Sequence, residues 1–468
     1  MSLIINNKIC ASLVDPATPL LDFLRHEAGL TAAKPGCGTG DCGSCLVLVG
    51  EYSPADAEVK YRALNSCLLT VGQAEGCQVI TPEGLAGDAL TPVQQALVDQ
   101  GAVQCGYCTP GLAIALTAAL LNGRELTEAA AGNLCRCTGY GGIRRACGVL
   151  AARFEQRPRT LDEIVACGLV PADVAAAAAH LQPLPVAQLF EQAVGDADSG
   201  LHYLGGGTDW MVNRPRDPEL KTRCALHRVP SLRLIEADDE ALLLGAAVTV
   251  DELQHSPVLA GDWPLLTHYL ERFGSPSVRA MATVGGNLVN ASPVADLAVL
   301  LLAMEAEVEL SSADSRRWLP LPYFFKAYHQ TELKAHEVLT RIRLPRNPAG
   351  AVRLHFEKIA KRELDDIASV NTALTAAPGK PGRFGRIRLS AGGVAPVPRL
   401  LHGVSDYLSG RSVGIQTVRE ALARVDADIA PVDDARGSAG YKRRLLKHLL
   451  VAHLTALYPE LSSQECLA

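Results

Sequence analysis

The chain has 468 residues, with 44 Lys and Arg against 50 Asp and Glu and a formal net charge of -6 at pH 7. That length exceeds one ordinary core and predicts three or four domains, and an acidic balance without a basic stripe excludes nucleic acid as the expected partner. The longest apolar runs, Gly111 to Leu121 and Leu297 to Met304, fall short of the roughly 18 to 20 residues that cross a bilayer, so no membrane span is expected.

In chain order, residues 2–8, Cys45–Val49 and Gln78–Thr81 have the pattern of strands, and Pro19–Ala28 has the apolar spacing of a short helix. Among these elements stands KPGCGTGDCGSC, in which Cys37, Cys42 and Cys45 are spaced C-x4-C-x2-C and Cys67 follows at a distance. That is the spacing of plant-type [2Fe-2S] ferredoxins, which take three thiolates from one tight loop and the fourth from another segment. Gly36, Gly38, Gly40 and Gly43 allow the loop to close, because its backbone must approach the sulfur atoms in conformations most side chains forbid. Zinc is the rival ligand, but structural zinc prefers C-x2-C pairs, and three ligands within nine residues crowd a tetrahedral site. Disulfides need an oxidising compartment, and no charged segment followed by an apolar one suggests export, so a cytoplasmic protein is expected.

From Pro82 the pattern turns helical. Thr91-Pro92 and Thr109-Pro110 both read as a capping residue followed by proline at the first helical position. Cys105-x2-Cys108 lies just before the second of these helices, Gly111 to Leu121, and Cys135-x-Cys137 follows a further helix over about Thr127 to Asn133. Two antiparallel helices would bring both cysteine pairs to one end, around a second cluster. For this group, standing alone, zinc is a stronger rival than for the first.

Residues 156–185 hold RPR, an alanine run and PLP, the composition of an interdomain connection, with a helix at Ala172–Leu181. A strand at His202–Leu204 then runs into Gly205-Gly206-Gly207-Thr208-Asp209. A glycine turn after a strand offers backbone N-H groups to a phosphate, although a triple glycine is more often an ordinary turn, and Trp210 breaks the G-x-G-x-x-G spacing. A second glycine turn, Thr283-Val284-Gly285-Gly286-Asn287, is followed by Asn290, Ser292 and Asp296. Two such turns on neighbouring strands, with a carboxylate for a ribose or base, would grip a dinucleotide without a Rossmann unit. From about Val352 strands such as Ile387–Ala391 alternate with helices at 416–425 and 440–457, without a catalytic constellation.

These motifs resemble, over essentially the whole chain, the iron-sulfur and FAD subunit of bacterial xanthine dehydrogenase in the molybdenum hydroxylase superfamily. GDCGSC, QAEGC, QCGYCTPG and NLCRCTGY carry the resemblance in the cluster domains, and GGGTD, ATVGGNLVNASPVAD and KIAKRELDDIA carry it in the flavin domain. The resemblance implies a multidomain α+β protein. Its parts would be a plant-type ferredoxin-like β-grasp domain (1–82), a helical [2Fe-2S] domain (83–158), a linker (159–184), an α+β FAD-binding domain (185–350) and a C-terminal α+β flavoprotein domain of the CO dehydrogenase type (351–468). It implies that Cys37, Cys42, Cys45 and Cys67 hold the cluster nearer the flavin. Cys105, Cys108, Cys135 and Cys137 would hold the one nearer molybdenum, with Gln104 approaching the pterin of a partner. FAD would contact Leu204, Gly205, Gly206, Gly207, Thr208, Asp209, Phe273, Thr283, Val284, Gly285, Gly286, Asn287, Asp296, Leu339 and Lys358.

Glu363, Asp365 and Asp366 would lie beside the isoalloxazine, their bland alternative being a solvated turn. The expected partners are a molybdopterin-binding large subunit, in a heterotetramer of two copies of each chain, and NAD+ as electron acceptor. The expected reaction is oxidation of hypoxanthine or xanthine, with no catalytic acid or base on this chain. Two alternatives stand beside it: the equivalent subunit of a hydroxylase for another N-heterocycle or an aldehyde, and a non-enzymatic iron-sulfur redox sensor. The chain departs from the family pattern at Pro35, where an acidic residue is common, and at Gly141-Gly142, where arginine-proline is common. The other six cysteines, 10, 77, 147, 167, 224 and 466, have no ligand spacing and read as packed or free thiols. No His pair at i, i+4 stands with a carboxylate as a metal site.

Overall fold

The computed structural model describes residues 2–11, 13–53, 58–87, 89–181, 202–213, 223–334 and 336–467, without the side chains of His202, Arg223, Cys224 and Ala349. The chain divides into two compact units. The first contains residues 1–186, 207–225 and 275–281, and the second contains the rest.

The first unit begins with a five-stranded sheet in the order Lys8–Ala11, Ser2–Ile5, Gln78–Ile80, Leu46–Ser53 and Glu58–Asn65. Ser2–Ile5 and Gln78–Ile80 are parallel and the remaining pairs antiparallel, the mixed sheet of a β-grasp. The expected helix at Pro19–Ala28 is one α-turn, Leu20–Asp22, continued by a π-turn, Phe23–Glu27. The expected strand at 2–8 is two strands, because Asn6, at positive φ, turns the chain between them.

Four helices follow, Pro92–Asp99, Thr109–Asn122, Leu126–Ala131 and Gly141–Arg153. Thr91 caps its helix as expected, in a capping box with Gln94. At the second site the expectation is corrected: Thr109 is itself helical, Cys108 is the N-cap, and no side chain caps the end. The apolar run Gly111–Leu120 is buried all round, as a helix covered on two sides must be. Leu112 and Leu116 face the helical core, while Ile114, Ala115 and Ala118 pack against Leu46, Leu48 and Tyr61 of the sheet. Of the stretch expected as a linker, residues 182–184 lie outside the described residues and 159–181 are folded: they carry helices Leu161–Ala166 and Ala172–Ala176 and pack through Val170, Val174 and Ala175 on that second cluster, and Gln78 Nε2 donates to Val174 O at 2.7 Å. Small alanine side chains let this segment lie close on the sheet.

The second unit carries a five-stranded antiparallel sheet in the order Arg316–Pro320, Glu307–Ser311, Val338–Pro345, Ala241–Gly245 and Ile235–Ala237. It also carries a four-stranded sheet of Arg353–Ile359, Val370–Ala376, Ile387–Gly392 and Arg399–Leu400. Helices Ile415–Asp428 and Ala439–Leu457 cover the latter through Val418, Leu446 and Leu450. The helix Asp296–Ala303, buried from Leu297 onward, is tied to the same sheet, since Thr375 Oγ1 donates to Ala303 O at 2.7 Å and Ser390 Oγ to Val299 O at 2.6 Å. Among the described residues no helix is long and apolar enough to cross a membrane.

One ion pair in this unit makes stability depend on pH. Arg317 grips Glu337 with two N-H···O bonds of 2.9 Å, and this holds the buried carboxyl down at about 2. A carboxyl depressed on folding stabilises the fold above its ordinary pKa, here 4.5, and loses that contribution as pH falls from there towards 2. Glu337→Gln is therefore expected to cost about 1 to 3 kcal/mol at neutral pH and progressively less in acid, which denaturant titrations at pH 7 and pH 3 measure.

Candidate iron-sulfur and flavin sites

The loop Gly36–Cys45 closes through Gly38, Gly40 and Gly43, all at positive φ. A Cβ on Gly36 would lie 2.6 Å from Cys42 Sγ, and one on Gly40 would lie 2.5 Å from Leu68, so bare backbone is what lets the chain wrap the sulfur atoms. Backbone N-H groups of Thr39 and Cys42 donate to Cys37 Sγ, and that of Cys37 donates to Cys42 Sγ, each at 3.4 Å. Asn65 Nδ2 approaches Cys45 Sγ at 3.7 Å. N-H groups aimed at sulfur stabilise thiolates and tune the potential of any cluster they hold.

The thiols stand in twos. Cys45 Sγ and Cys67 Sγ are 3.3 Å apart, and Cys37 and Cys42 are hydrogen-bonded to each other. In the second group Cys105 pairs with Cys137, and Cys108 with Cys135. Within each pair one thiol donates a hydrogen bond to the sulfur of the other. The bond from Cys42 holds Cys37 at about 4 and itself raises Cys42, and the bond from Cys67 holds the buried Cys45 at about 7 and raises Cys67. Burial pushes Cys108 to about 12, while for Cys135 burial is outweighed by hydrogen bonds from Thr138 and its pKa falls. Cys105 is lowered chiefly by the Tyr107 N-H, and Cys137 is raised chiefly by Cys105. Among the described residues no three His, Cys, Asp or Glu side chains gather as ligands of a single ion. Four thiols standing in two pairs suit a cluster of two irons, each taking two thiolates, better than one tetrahedral zinc.

The two groups meet within the first unit. Leu134 N donates to Cys42 O at 3.0 Å, Asn133 Nδ2 to Gly43 O at 3.0 Å and Tyr107 OH to Pro35 O at 3.0 Å. Cys45, Cys108 and Cys135 are buried, whereas Cys37, Cys105 and Cys137 are exposed, as are Gln104, Tyr107 and Leu134.

In the second unit the glycine segments at 205–206 and 283–286 come together, since a Cβ on Gly205 would lie 2.5 Å from Thr283 Oγ1. The second segment is not the free turn expected: Thr283 caps a helix, Val284–Asn290, by accepting from Gly286 N at 3.1 Å. Outside that helix turn, Thr283 Oγ1 is the only atom of the described residues within 4 Å of a Cβ on Gly286, at 2.8 Å, so among these residues the backbone is open on its other side. Gly285 lies against Ala246, which a Cβ would meet at 2.7 Å. Asn287 Oδ1 is buried with no hydrogen-bond partner among the described residues. An open glycine backbone beside a buried amide oxygen awaiting a donor fits a dinucleotide.

Asp296 opens the helix Asp296–Ala303. Its Oδ2 accepts from Lys358 Nζ at 2.6 Å and its Oδ1 from Asn371 Nδ2 at 2.6 Å, while Lys358 Nζ also donates to Arg272 O at 2.9 Å. Arg272 and Asn371, which the sequence reading did not single out, thus complete the surroundings of two residues that it did. Phe273 follows the turn Leu270–Arg272, and the buried Leu339 lies in Val338–Pro345, opposite Leu310. Leu204 ends the strand His202–Leu204. In the first unit Gly207, at positive φ, precedes the helix Thr208–Asn213, and Asp209 accepts from Asn213 Nδ2 at 3.0 Å. Glu363 and Asp365 sit in the loop after Arg353–Ile359, which Asp366 closes by accepting from Arg362 N at 2.8 Å.

Comparison with known proteins gives four domain families in chain order. They are a 2Fe-2S iron-sulfur cluster binding domain (4–72), a [2Fe-2S] binding domain (81–148), an FAD binding domain in molybdopterin dehydrogenase (176–347) and a CO dehydrogenase flavoprotein C-terminal domain (355–457). The chain is 29% identical to an indole-3-acetaldehyde oxidase of Zea mays, over 90% of this chain and 36% of that protein. It is 27% identical to aldehyde oxidase 1 of Bos taurus (97% and 39%) and 26% identical to a xanthine dehydrogenase of Blastobotrys adeninivorans (92% and 39%). It therefore spans little more than a third of the length of these relatives. Among solved structures, a carbon monoxide dehydrogenase chain from Hydrogenophaga pseudoflava is 27% identical, with a TM-score of 0.52, 57% of this chain and 91% of that one being covered. A chain of quinoline 2-oxidoreductase from Pseudomonas putida 86 shares the fold at a TM-score of 0.52, with 24% identity over 59% of this chain and 95% of that one. The two cluster domains, the FAD domain and the flavoprotein C-terminal domain, in this order, place the chain in the molybdenum hydroxylase family of the CO dehydrogenase and xanthine oxidase type.

Proposed function

We propose that this chain is the electron-transfer subunit of a cytoplasmic xanthine dehydrogenase. It takes electrons from the molybdenum cofactor of a molybdopterin-binding large subunit and delivers them by two [2Fe-2S] clusters to FAD and then NAD+, as hypoxanthine or xanthine is oxidised to urate. The observation that carries this reading is the docking of the two cysteine groups in one unit, with Leu134 N on Cys42 O, in a chain that also holds the glycine cradle of a flavin. When bound, each cluster carries one electron at a time, and the flavin accepts two and passes a hydride to the nicotinamide.

The residues of the chain hold and insulate. Cys37, Cys42, Cys45 and Cys67 would bind the cluster nearer the flavin, and Cys105, Cys108, Cys135 and Cys137 the one nearer molybdenum. The exposed Gln104, Cys105, Tyr107, Leu134 and Cys137 form the face that meets the large subunit, in an assembly of two copies of each chain. The Gly205 and Thr283–Asn287 segments, with Asp296 and Lys358, would hold FAD, and the Glu363–Asp366 loop would flank its ring. A second reading keeps the conduit and changes the substrate to an aldehyde, because two of the relatives above are aldehyde oxidases.

Anaerobic visible spectra of the complex purified through this chain test both. Bleaching of flavin and cluster bands by xanthine, with colour restored by NAD+, is the expected result. Bleaching by aldehydes and not xanthine would replace the substrate, and a colourless complex would overturn the conduit.

A further inference from the structure

Asn133 is completely buried between the two cysteine groups, two residues before Cys135. Its Nδ2 donates to Gly43 O at 3.0 Å, inside the Cys42–Cys45 step of the first loop. Its Oδ1 is also buried and has no hydrogen-bond partner among the described residues. A buried amide with an unmet acceptor is costly for stability alone, so its presence here points to a demand of placement.

The surroundings state what is placed. Gly43 is at positive φ, and a Cβ there would lie 2.4 Å from Asn133 Nδ2 and 2.5 Å from Gly132 O. A Cβ on Gly111, two residues into the helix that follows Cys108, would lie 2.1 Å from Gly43 O and 3.0 Å from Asn133 Nδ2. The first loop is thus wedged, backbone to backbone, between the start of that helix and the turn before Cys135. Within this wedge Asn133 supplies the only side-chain hydrogen bond to Gly43 O among the described residues. Directly beside it Leu134 N meets Cys42 O at 3.0 Å, so a thiolate residue of one group and the neighbour of a thiolate residue of the other are one hydrogen bond apart. Tyr107 OH, the third contact between the groups, is on an exposed side chain and holds the loop less firmly.

We infer that Asn133 is a positioning residue that fixes the register of the two cysteine loops and thereby the rate at which one electron crosses from the cluster on one to the cluster on the other. The inference rests on the electron-conduit reading above. The crossing oxidises one cluster and reduces the other by the same single electron, and no bond is made or broken. Asn133 touches neither set of thiols in this scheme. It acts through Gly43, whose carbonyl it anchors, and so keeps Cys42 O in reach of Leu134 N. An aspartate at 133 has the same shape but no donor, so it faces the Gly43 carbonyl with an acceptor. An alanine removes the tether and leaves Gly43 O with Leu46 N, at 3.3 Å, as its donor.

The test uses the whole complex carrying Asn133→Asp or Asn133→Ala. Iron per chain is measured first, then the EPR spectrum of the dithionite-reduced protein, then the rate of electron exchange between clusters after flash photoreduction. Iron is expected to stay at the parental level, the magnetic splitting between the two cluster signals to weaken, and exchange to slow severalfold, because electron transfer through protein weakens steeply with the separation of the two centres. Parental splitting and rate in a variant with full iron would overturn the inference. Loss of iron from both variants would overturn it too, because Asn133 would then be a folding residue. A parent complex without any iron-sulfur spectrum is a different outcome, visible before a variant is made, and it strikes the conduit reading itself.

Discussion

Replacing Cys42 by serine is expected to remove the cluster of the first cysteine group and to spare that of the second, so that iron per chain falls by about half. The reason is local. Cys42 Sγ accepts from Cys37 N, and Cys42 N donates to Cys37 Sγ, within a loop held closed by glycines. The change therefore removes one of two thiols that act as a pair, and the hydroxyl left behind is a far poorer ligand for iron than a thiolate. The bond that docks the second group uses the backbone oxygen of Cys42, which serine retains. Cys105, Cys108, Cys135 and Cys137 lie in the segments between helices that share a core of Val93, Leu97, Leu116 and Leu150, so their cluster has a scaffold the substitution does not reach. EPR of the reduced variant should show one cluster signal in place of two, and electrons entering at the second group should no longer reach the flavin. Equal loss of both signals would show that the groups fold as one.

How much of this was legible beforehand follows from the range of each signal. The candidate cluster ligands are legible because loop-bound iron needs cysteines at short fixed separations, and Cys37, Cys42, Cys45, Cys105, Cys108, Cys135 and Cys137 stand in such groups. Caps are less safe. Thr91 and Thr109 are both followed by proline, but only Thr91 has Gln94 three residues on to complete a capping box. The strand Glu58–Asn65 carries its signal in the alternation of Val59, Tyr61 and Ala63, which the sequence reading passed over. The fate of 159–184 turned on composition: an alanine run flanked by prolines reads as a connection, yet Val174 and Ala175 are buried against the sheet.

Least legible are residues whose partners lie far along the chain. Asn371 reaches Asp296 across 75 residues, and Asn133 reaches Gly43 across 90. For Asn371 there was one clue, an amide in the strand Val370–Ala376, whose other residues are apolar or threonine. A buried amide inside an apolar strand must be paid for by a hydrogen bond somewhere, but sequence alone does not say where.

That buried network carries the second large effect. Asp296→Ala is expected to strip FAD from the protein while leaving both clusters. Lys358 is almost wholly enclosed, its side chain 2% exposed, and its charge is balanced by Asp296 Oδ2 at 2.6 Å. Removing one partner of such a pair leaves an uncompensated buried charge and costs about 3 to 5 kcal/mol. What then remains for Lys358 Nζ is Arg272 O, and for Asn371 Nδ2 it is Val294 O. The strand of Lys358, the turn of Arg272 and the helix opened by Asp296 lose their common anchor together. Asp296→Asn keeps an acceptor for Lys358 at the same place and should lose less flavin than the alanine, which separates the role of the hydrogen bond from that of the charge. The double change Asp296→Leu with Lys358→Met removes both charges, and should restore stability to denaturant without restoring the flavin if these groups contact FAD directly. Acid-released flavin and bound iron, each counted per chain, decide the matter. Full flavin in Asp296→Ala would move the cofactor's polar contacts elsewhere in the unit, and flavin restored by the apolar pair would make the ion pair a support of the fold alone.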